Sequence, residues 1–418
     1  MNMEFIVSRN SLLRALQHTR CAITKGELNI FKCFVFSFDE EERLMTVHAS
    51  NGSIWMEETV VLDKHAVKPR PIAIYHYDII KPLKSLDEQP LRFEVLEYQV
   101  IVHHSIGSFR LPLYGNASEF FDFKAPAPDV EADDGWLLEY EAPCLKSVLN
   151  RCNFAMAQDE LRPVMNGVYV NLTDQFSDYV SSDGHKLVRV RKDPVCCGSS
   201  VVSTSFIIPY AVVKTLLKVL PSTGDIDLEY QKELMKEHSR TDKDGNGRTV
   251  KEKYLVTERK PQCRIVIDDT LTLSFNPVEG RYPQYWTVIP ERHVFKMTVD
   301  RKALIKSCDR LSIFANQSGM VEMRIDETTL KLKSEDADFE VAGDEQLPCV
   351  SEPFDGHSPI NLRIGMKAVS VSQTLKTLST EKAVFLLSDC SRAAIIQPQP
   401  QPDNEEITML LMPMLCND

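Results

Sequence analysis

Residues 213–220 read Val-Lys-Thr-Leu-Leu-Lys-Val-Leu, a helical pattern that ends in Leu-Lys-x-Leu. The same ending closes the leucine-rich segments 79–86 and 372–378. A second type of helical pattern precedes each of these three leucine-rich segments. The distance between the two is 74 or 75 residues, measured from Leu12 to Leu86, from Leu145 to Leu220 and from Leu304 to Leu378. Six helices at this fixed spacing predict three internal repeats.

The six predicted helices differ in how strongly the sequence supports them. Asp300 is a good N-cap and Pro143 suits a first helical turn. Pro82 makes the helix around it the weakest prediction, because proline removes a backbone donor. The helices are predicted at 8–21, 75–86, 142–157, 208–220, 300–315 and 366–378.

Strand-like segments fill the sequence between the helices. Segments such as 31–38 and 167–172 are short, alternate in polarity and are rich in β-branched and aromatic residues. Each repeat is therefore predicted to hold two helices and about eight strands, which is an α+β fold. Proline-containing stretches at 126–128 and 290–293 mark junctions between the repeats. The predicted domains are 1–127, 128–291 and 292–418.

The middle repeat is longer than the others. The repeats start 133 and then 159 residues apart, and the excess coincides with the charged, apolar-poor segment 231–260. We expect an insertion there, in the form of a long solvated hairpin or loop.

Charge is distributed unevenly along the chain. Acidic residues outnumber basic ones by 60 to 48, and the net charge of −12 as a whole argues against nucleic-acid binding. The six predicted helices reverse this balance, with fifteen basic and three acidic residues. Lys302, Lys306 and Arg310 repeat every four residues on one helix face. A polyanion held on one surface fits this segregation, and a lysine-rich solvated helix face is the plainer alternative.

Composition excludes several classes of protein. With 43% apolar and 26% charged residues, the 418-residue chain has ordinary globular composition. Its longest apolar stretches are far below the roughly 20 residues of a membrane helix, and its N-terminus does not resemble a secretory signal. The 11 cysteines form no C-x-x-C, so we expect reduced thiols in a cytoplasmic protein.

Motifs of catalysis and metal binding are mostly missing. The sequence contains no P-loop, dinucleotide-binding, nucleophile-elbow or zinc-protease motif. The segment 242–247 resembles the start of a calcium loop, but Lys253 stands where a bidentate glutamate is required. Cys196-Cys197 is interpreted as incidental. His185 beside Asp183 could form a catalytic base, although Asp-Gly at 183–184 favours a turn between strands.

Several segments together carry a family signature. Arg162-Pro-Val-Met-Asn-Gly-Val168 followed by Ser182-Asp-Gly-His-Lys-Leu187 resembles the middle domain of the bacterial sliding clamps, the beta subunit of DNA polymerase III. The segments 207–209, 279–285, 288–290 and 412–415 are similar to the family as well, in the same order along the whole chain.

The resemblance implies a fold and a function. It implies three clamp domains per chain and a head-to-tail homodimeric ring whose helices surround duplex DNA. It implies a non-catalytic processivity factor without metal or cofactor, which tethers the polymerase III catalytic subunit and is handled by a clamp loader. It also implies that other clamp-binding-motif proteins bind, that no membrane is involved, and that the protein is cytoplasmic and nucleoid-associated during replication.

The resemblance also implies functional residues, carried over by motif position. The cleft for partner peptides would comprise Met165, Ser182, Gly184, His185, Lys186, Leu187, Pro283, Thr287, Val288, Leu410, Met412, Pro413, Met414 and Leu415. The DNA-facing residues would be Lys25, Gln158, Arg162, Lys218, Lys302, Lys306 and Arg310. The dimer interface would contain Phe109 and Leu111 on one side and Ile313 and Phe314 on the other.

Three departures from the family pattern qualify these expectations. Lys186 and Thr287 stand where the family commonly has arginine, which predicts weaker pairing with an acidic peptide. The chain continues three residues past Leu415, and the insertion at 231–260 is atypical. Two alternatives remain: a hydrolase or transferase using His185 and Asp183, and a monomeric sequence-specific DNA binder.

Overall fold

The computed structural model describes residues 3–23, 28–39, 41–197, 200–201, 203–243 and 249–416. All six predicted helices are confirmed. They are α1 (Arg9–Thr19), α2 (His76–Lys84), α3 (Ala142–Cys152), α4 (Tyr210–Val219), α5 (Arg301–Leu311) and α6 (Ala368–Lys376).

Helix ends follow local chemistry. The Asp300 side chain caps α5 by accepting a 2.7 Å hydrogen bond from the Ala303 N–H, as its sequence predicts. The helix predicted at 142–157 is five residues too long. After Cys152 the chain leaves the helix, and the Ala157 N–H bonds the Met165 carbonyl instead. Pro82 lies inside α2, which is nevertheless helical over nine residues.

The described residues form 29 strands. They are β1 (Met3–Ser8), β2 (Cys33–Phe38), β3 (Leu44–Ser50), β4 (Ile54–Val61), β5 (Lys64–Val67), β6 (Ile72–Tyr75), β7 (Pro90–Val95), β8 (Gln99–His104), β9 (Gly107–Pro112), β10 (Gly135–Glu141), β11 (Gly167–Leu172), β12 (Ser177–Ser182), β13 (Lys186–Lys192), β14 (Cys196–Cys197), β15 (Ser200–Val201), β16 (Thr204–Pro209), β17 (Asp225–Gln231), β18 (Leu234–Lys243), β19 (Thr249–Arg259), β20 (Gln262–Ile267), β21 (Leu271–Phe275), β22 (Phe295–Asp300), β23 (Met320–Ile325), β24 (Thr329–Asp336), β25 (Val341–Pro353), β26 (Leu362–Lys367), β27 (Lys382–Leu387), β28 (Ala394–Gln399) and β29 (Glu405–Leu411).

The strand count supports repeats that share eight strands each. The last repeat has eight strands, as predicted, from β22 to β29. The first has nine because it adds β5, and the middle has twelve because it adds the hairpins β14–β15 and β18–β19. The predicted insertion is thus a hairpin. The calcium-loop-like segment 242–247 lies mostly outside the described residues.

The chain divides into two compact units. The first consists of Met1–Cys144 and Thr215–Pro277, and the second of Leu145–Lys214 and Val278–Asp418. The first unit holds a sheet in the order β5-β1-β7-β8-β9 and another in the order β10-β17-β20-β21-β4-β3-β2-β6. The second unit holds the order β16-β11-β12-β13-β29-β28-β27-β22-β25-β24-β23-β26.

Each unit contains one junction between repeats, and both junctions have the same design. In the first unit β21, the last strand of the middle repeat, pairs antiparallel with β4 of the first repeat. In the second unit β29, the last strand of the third repeat, pairs antiparallel with β13 of the middle repeat. Strands β4 and β13 occupy the same place in their repeats, and so do β21 and β29. The two junctions are therefore made by equivalent pairs of strands.

A recurrent hydrogen bond identifies the repeats independently of the sheets. In each repeat, the chain beyond the last strand folds back and donates a backbone N–H to the strand that leads into the second helix. These bonds are Tyr114 to Ala73 at 2.9 Å, Val278 to Ile207 at 3.0 Å and Met414 to Gly365 at 2.8 Å.

Apolar helix faces close the cores over the sheets. Leu12 and Leu16 of α1 and Leu304 of α5 are fully buried. Helix α1 packs against β3 and β4, and α5 packs against α6. No helix in the described ranges is both long and apolar enough to span a bilayer.

Candidate functional site

The turn between β12 and β13 is a network of short-range hydrogen bonds. Asp183 accepts backbone bonds of 2.9 Å from the N–H groups of His185 and Lys186, and it forms an ion pair with the Lys186 ammonium. The Ser182 hydroxyl accepts from the Gly184 N–H at 3.2 Å, and Gly184 has φ of +91°. The predicted turn is therefore confirmed.

This arrangement leaves Asp183 and Lys186 occupied with each other. Burial raises the pKa of the Asp183 carboxyl, but the bonds from the Lys186 side chain and from the two backbone N–H groups outweigh it and hold that pKa below the ordinary value. Asp183 therefore fixes the turn instead of orienting the His185 ring. The Lys186 charge, expected to pair weakly with an acidic peptide, is already neutralised within the turn.

The strand pair β13–β29 carries the turn towards the C-terminal residues. Leu187 lies directly opposite Leu410, and the Met412 N–H continues the ladder by donating to the His185 carbonyl at 2.8 Å. Leu187 and Leu410 are both buried, whereas Met412 is 43% exposed. The structure thus brings together the predicted residues of 182–187 and of 410–412.

The segment 282–288 joins this pair through two tyrosines. The Tyr282 ring stacks on Tyr169, with ring centroids 4.7 Å apart. The Tyr285 hydroxyl donates a 2.6 Å bond to Asp178, which also accepts two bonds of 2.8 Å from Arg191. Burial and the neighbouring Asp178 carboxylate raise the pKa of Tyr285. The phenol is therefore a neutral donor.

One apolar cluster lies beneath all three segments. It joins strands β12, β13, β16, β28 and β29 to the segment 282–288, the tyrosine loop, and to the turn between β27 and β28. Its buried members are Val180, Leu187, Ile207, Tyr282, Tyr285, Ala393, Ile395 and Leu410. Val288 and Trp286 of the loop are more than half exposed beside it. The result is an apolar surface in which exposed side chains lie beside a buried cluster.

The glycine of the motif 162–168 is required because the backbone of β16 passes close to it. A Cβ at Gly167 would lie 2.2 Å from the Ile208 carbonyl oxygen on β16, so no side chain fits there. Met165 is buried, and the Arg162 side chain pairs with Asp159 and lies against Gly184. Arg162 therefore borders the turn as well as being a predicted DNA-facing residue.

The remaining predicted cleft residues differ in their placement. The Thr287 hydroxyl donates to the Gln284 carbonyl at 2.8 Å, and Pro283 is exposed. Pro413 is half-buried, and Met414 continues away to pair with Gly365 at the edge of β26. Leu415 is 88% exposed.

Sequence reasoning missed the residues that hold the tyrosine loop in place. Tyr285 was part of the quoted motif, but its partner Asp178 lies 107 residues away on β12. No spacing or composition signal connects them. The exposed Trp286 was also overlooked, although it stands between the motif residues Tyr285 and Thr287.

The basic helix residues fall into two groups. Lys218, Lys302 and Lys306 are exposed, and Gln158 is exposed after α3. Arg310 instead makes a bidentate ion pair with Glu345, at 2.7 and 2.6 Å, so its positive charge is largely compensated. Lys25 lies outside the described residues.

Two other arginines counted in the helix charge have structural partners. Arg9 bonds the carbonyls of Leu83 and Lys84, and Arg301 bonds those of Leu375 and Thr380. Each arginine therefore caps the end of the second helix of its own repeat. The net helix charge overstates the charge available to a ligand.

Two of the predicted interface residues lie on an open sheet edge, and the other two lie in the turn after α5. Phe109 and Leu111 belong to β9, which in the described part of the chain pairs only with β8. Phe314 packs against β25, because a Cβ at Gly343 would meet the Phe314 ring at 3.0 Å. Ile313, next to it, is 76% exposed. Residues 341–348 of β25 pair with β24 on one side, and no strand within the described ranges covers the other.

Comparison with known proteins decides the family. Models of the central and C-terminal domains of the DNA polymerase III beta subunit match residues 140–244 and 286–415, together more than half of the chain. The chain belongs to this family. Family members are non-catalytic processivity subunits, the beta sliding clamps, so the expectation of a non-enzymatic protein is supported by membership.

Individual relatives span the whole chain. The beta sliding clamp of Pseudomonas aeruginosa is 23% identical over 415 residues, covering 99% of this chain and 100% of the relative. That of Staphylococcus epidermidis is 22% identical and covers 99% of both.

Solved structures share the fold. The DNA polymerase III beta subunit of Thermotoga maritima superposes with a TM-score of 0.81 at 19% identity, covering 99% of this chain and 100% of that one. A sliding clamp from P. aeruginosa, solved bound to griselimycin, has a TM-score of 0.79 at 20% identity and covers 100% of both chains. The predicted α+β fold of repeated domains is confirmed.

Proposed function

We propose that two copies of this chain close head to tail into a ring around duplex DNA and tether the polymerase III catalytic subunit. Each copy supplies the three clamp domains 1–127, 128–291 and 292–418. A closed ring cannot leave DNA sideways, so weak non-specific phosphate contacts are sufficient and sliding is permitted. A clamp loader opens the ring, and the protein acts in the cytoplasm, at the nucleoid during replication, without a membrane.

One observation carries the ring proposal. Two of the three possible junctions between consecutive repeats are made within the chain, by β21 with β4 and by β29 with β13. The strands equivalent to these are β9 of the first repeat and residues 341–348 of β25 in the third. Both present an open edge in the described chain. Pairing them between copies completes the third junction and removes two exposed edges.

The two observed junctions also predict the register of the third. Leu273 faces Met56, and Met409 faces Val188. Following the strand pairings within each repeat, Phe109 of β9 corresponds to Leu273 and Met409, and Gly343 of β25 corresponds to Met56 and Val188. The equivalent pair is therefore Phe109 of one copy and Gly343 of the other. Phe314 already covers Gly343 within its own chain. This register places Phe109 against Phe314, two of the residues expected at the interface.

The same register is electrostatically favourable. Arg110 of one copy lies opposite Ala342 of the other, with Asp344 and Glu340 as its diagonal neighbours. Diagonal cross-strand pairs of opposite charge are within reach of a long side chain. We take Phe109, Leu111, Ile313 and Phe314 as the apolar centre of the interface and Arg110 as a charged contact at its rim.

DNA contacts are proposed for Lys25, Gln158, Arg162, Lys218, Lys302, Lys306 and Arg310. The exposed lysines of α4 and α5 support this, since mobile ammonium groups suit non-specific phosphate binding. Arg310 contributes least, because Glu345 compensates its charge.

The surface around the turn 182–187 is proposed to bind short peptides of the polymerase, the clamp loader and other clamp-binding-motif proteins. Exposed Met412 and Val288 beside the buried cluster provide apolar contacts, and backbone groups of the turn provide polar ones. Burying two apolar peptide side chains there contributes roughly 3–6 kcal/mol before ordering costs. Polar contacts with the turn must add to this for the micromolar binding that we expect of an isolated peptide, since 1 μM corresponds to about 8 kcal/mol.

Cysteine cross-linking tests the ring and its register. Directly opposite residues of antiparallel strands have Cα atoms about 4.5–5.5 Å apart, within disulfide range. Arg110→Cys together with Ala342→Cys should therefore give a covalent dimer under mild oxidation. Arg110→Cys with Asp344→Cys, a diagonal pair about 7–8 Å apart, is the matched control. A wild-type protein that is monomeric at micromolar concentration, or equal cross-linking of both pairs, would contradict the proposal.

A further inference from the structure

We infer that Phe339 of one copy inserts into a cavity at the β9 edge of the second copy and fills the third junction of the ring. This inference rests on the proposed head-to-tail ring, and it adds a contact that the family resemblance did not supply. Three features support it: the turn that carries Phe339, the cavity, and the register.

The turn between β24 and β25 differs from its two counterparts. In the first repeat, Asn51 and Ile54 close a turn with two residues between them, and Asp183 and Lys186 do the same in the middle repeat. In the third repeat the closing pair is Asp336 and Val341, with four residues between them. The third turn is therefore two residues longer, at the one junction that the chain does not complete.

The longer turn displays an aromatic side chain. Phe339 is 78% exposed, and Glu340 beside it has φ of +55°, which turns the chain at the tip. Acidic residues surround it at 335, 336, 338 and 340. A phenylalanine at this tip buries little of its ring against its own unit, and a partner that covers it would bury the rest.

The first unit contains a cavity of about 390 Å³ at the edge where such a partner is expected. It lies between the turn from β7 to β8 and the end of β9, and it is lined by Leu96, Glu97, Tyr98, Gln99, Arg110, Leu111 and Pro112. Tyr98 is itself 74% exposed. The cavity therefore offers an aromatic and aliphatic wall that the chain leaves uncovered within its described part.

The register aligns the two features. With Phe109 opposite Gly343, Leu111 lies opposite Val341, and the tip of the long turn reaches the residues just after β9. Leu113 follows there and donates its N–H to the Tyr98 carbonyl at 2.9 Å. The outer edge of Leu113 is bridged to Ile74 of β6, so the ladder between the copies ends at Pro112. The tip with Phe339 is therefore expected over the end of β9, where Tyr98 lines the cavity.

Charge favours the same occupant. Arg110 lines the cavity, and Arg70 bonds the Leu96 carbonyl at 2.8 Å at its border. The Glu97 carboxylate also lines the cavity, so two arginines against one glutamate leave a net positive charge where the acidic tip of the partner is expected. In the middle repeat the corresponding turn, 182–187, is short and leaves the adjoining surface open to peptides. At the third junction the Phe339 tip would cover the equivalent surface, so peptides would not bind there.

A double-mutant cycle tests this contact. Phe339→Ala and Tyr98→Ala should each raise the dimer dissociation constant about tenfold and speed subunit exchange, and the double variant should be little worse than either, because both remove one contact. Phe354→Ala, which removes another exposed phenylalanine of the third repeat, should leave exchange unchanged.

The outcomes separate this inference from the ring itself. If the Arg110→Cys and Ala342→Cys pair cross-links while Phe339→Ala exchanges subunits at the wild-type rate, the ring stands and the Phe339 contact is wrong. Additive effects of the two alanine variants would equally overturn the contact. Absence of any dimer in the wild type would remove the proposed ring and this inference together.

Discussion

The Tyr285 hydroxyl donates a 2.6 Å hydrogen bond to Asp178, a carboxylate that Arg191 holds from its other side. Asp178 is on β12, and Tyr285 is on the loop that leads into the third repeat. This bond fixes the exposed Trp286 and Val288 relative to β13 and β29. The peptide surface therefore depends on a buried polar contact in addition to its apolar floor.

Removing that hydroxyl should loosen the peptide surface. Tyr285→Phe should lower the free energy of unfolding by about 1–2 kcal/mol, since a buried charged acceptor loses a donor. It should also weaken peptide binding several-fold. Tyr114→Phe is the control, because Tyr114 also donates to a carboxylate, that of Glu119, but in the first unit. Urea denaturation and a fluorescent-peptide titration measure both effects, and equal peptide affinity in the two variants would refute the role of Tyr285.

The Asp183 turn predicts a specific acid sensitivity. The folded-state pKa of Asp183 is lowered, so its stabilising contribution is present above the unfolded-state pKa of about 3.9 and disappears as pH falls through the lower folded value. Asp183→Asn should cost about 0.5–1 kcal/mol at neutral pH, where the ion pair with Lys186 is lost. The difference between the variant and the wild type should shrink as the pH falls below the unfolded-state pKa and disappear once Asp183 is protonated in the folded state, as denaturation experiments can measure. A difference independent of pH would contradict the assignment.

Gly167 should not tolerate any side chain. Gly167→Ala would place a methyl group 2.2 Å from the Ile208 carbonyl oxygen, and we expect a loss of about 3 kcal/mol or more, with strand β11 displaced from β16. Gly115→Ala is the matched control, since a Cβ at Gly115 would have no other atom within 4 Å in the described chain. Thermal unfolding of both variants measures the contrast. Comparable melting temperatures would show that β11 can shift without cost.

The lysines of α5 should matter for loading onto DNA. Lys302→Glu with Lys306→Glu should impair loading onto circular DNA, most strongly at moderate salt, because two phosphate contacts become repulsive. Lys124→Glu with Lys232→Glu makes the same change in net charge at exposed residues outside the helices. Arg310 is left intact, because its removal would also release Glu345 on β25. Unchanged loading by the α5 variant across salt concentrations would argue against this helix face as a DNA surface.

Met412 should anchor partner peptides. Met412→Ala should weaken peptide binding roughly tenfold, about 1.4 kcal/mol, by removing apolar contact area. Deletion of residues 412–418 should weaken it further while the ring still forms, since the open edges lie on β9 and β25. Met235→Ala changes a methionine of similar exposure on the insertion hairpin and serves as the control. Unchanged affinity in Met412→Ala and in the deletion would exclude this surface as the peptide site.

The family, the fold class and the six helices could be predicted from the sequence because they depend on local patterns. Leucine spacing located the helices, and the distances from Leu12 to Leu86 and from Leu304 to Leu378 identified the repeats. The turn at Asp183 and Gly184 and the inserted hairpin were predicted for the same reason. The end of α3 was not, because the Ala157 N–H is taken by the Met165 carbonyl, a partner that no local pattern specifies.

Only the tertiary structure decided which residues the patterned elements meet. The sequence counts Arg9, Arg301 and Arg310 as positive charge, yet their guanidinium groups bond helix ends and Glu345. Likewise, nothing local links Tyr285 to Asp178, or shows that β9 and β25 retain open edges. Period and propensity act over a few residues, whereas charge compensation and strand partnership depend on contacts between residues far apart in the chain. The sequence thus determined the repeating unit, and the tertiary structure determined how its sheet edges and charges are used.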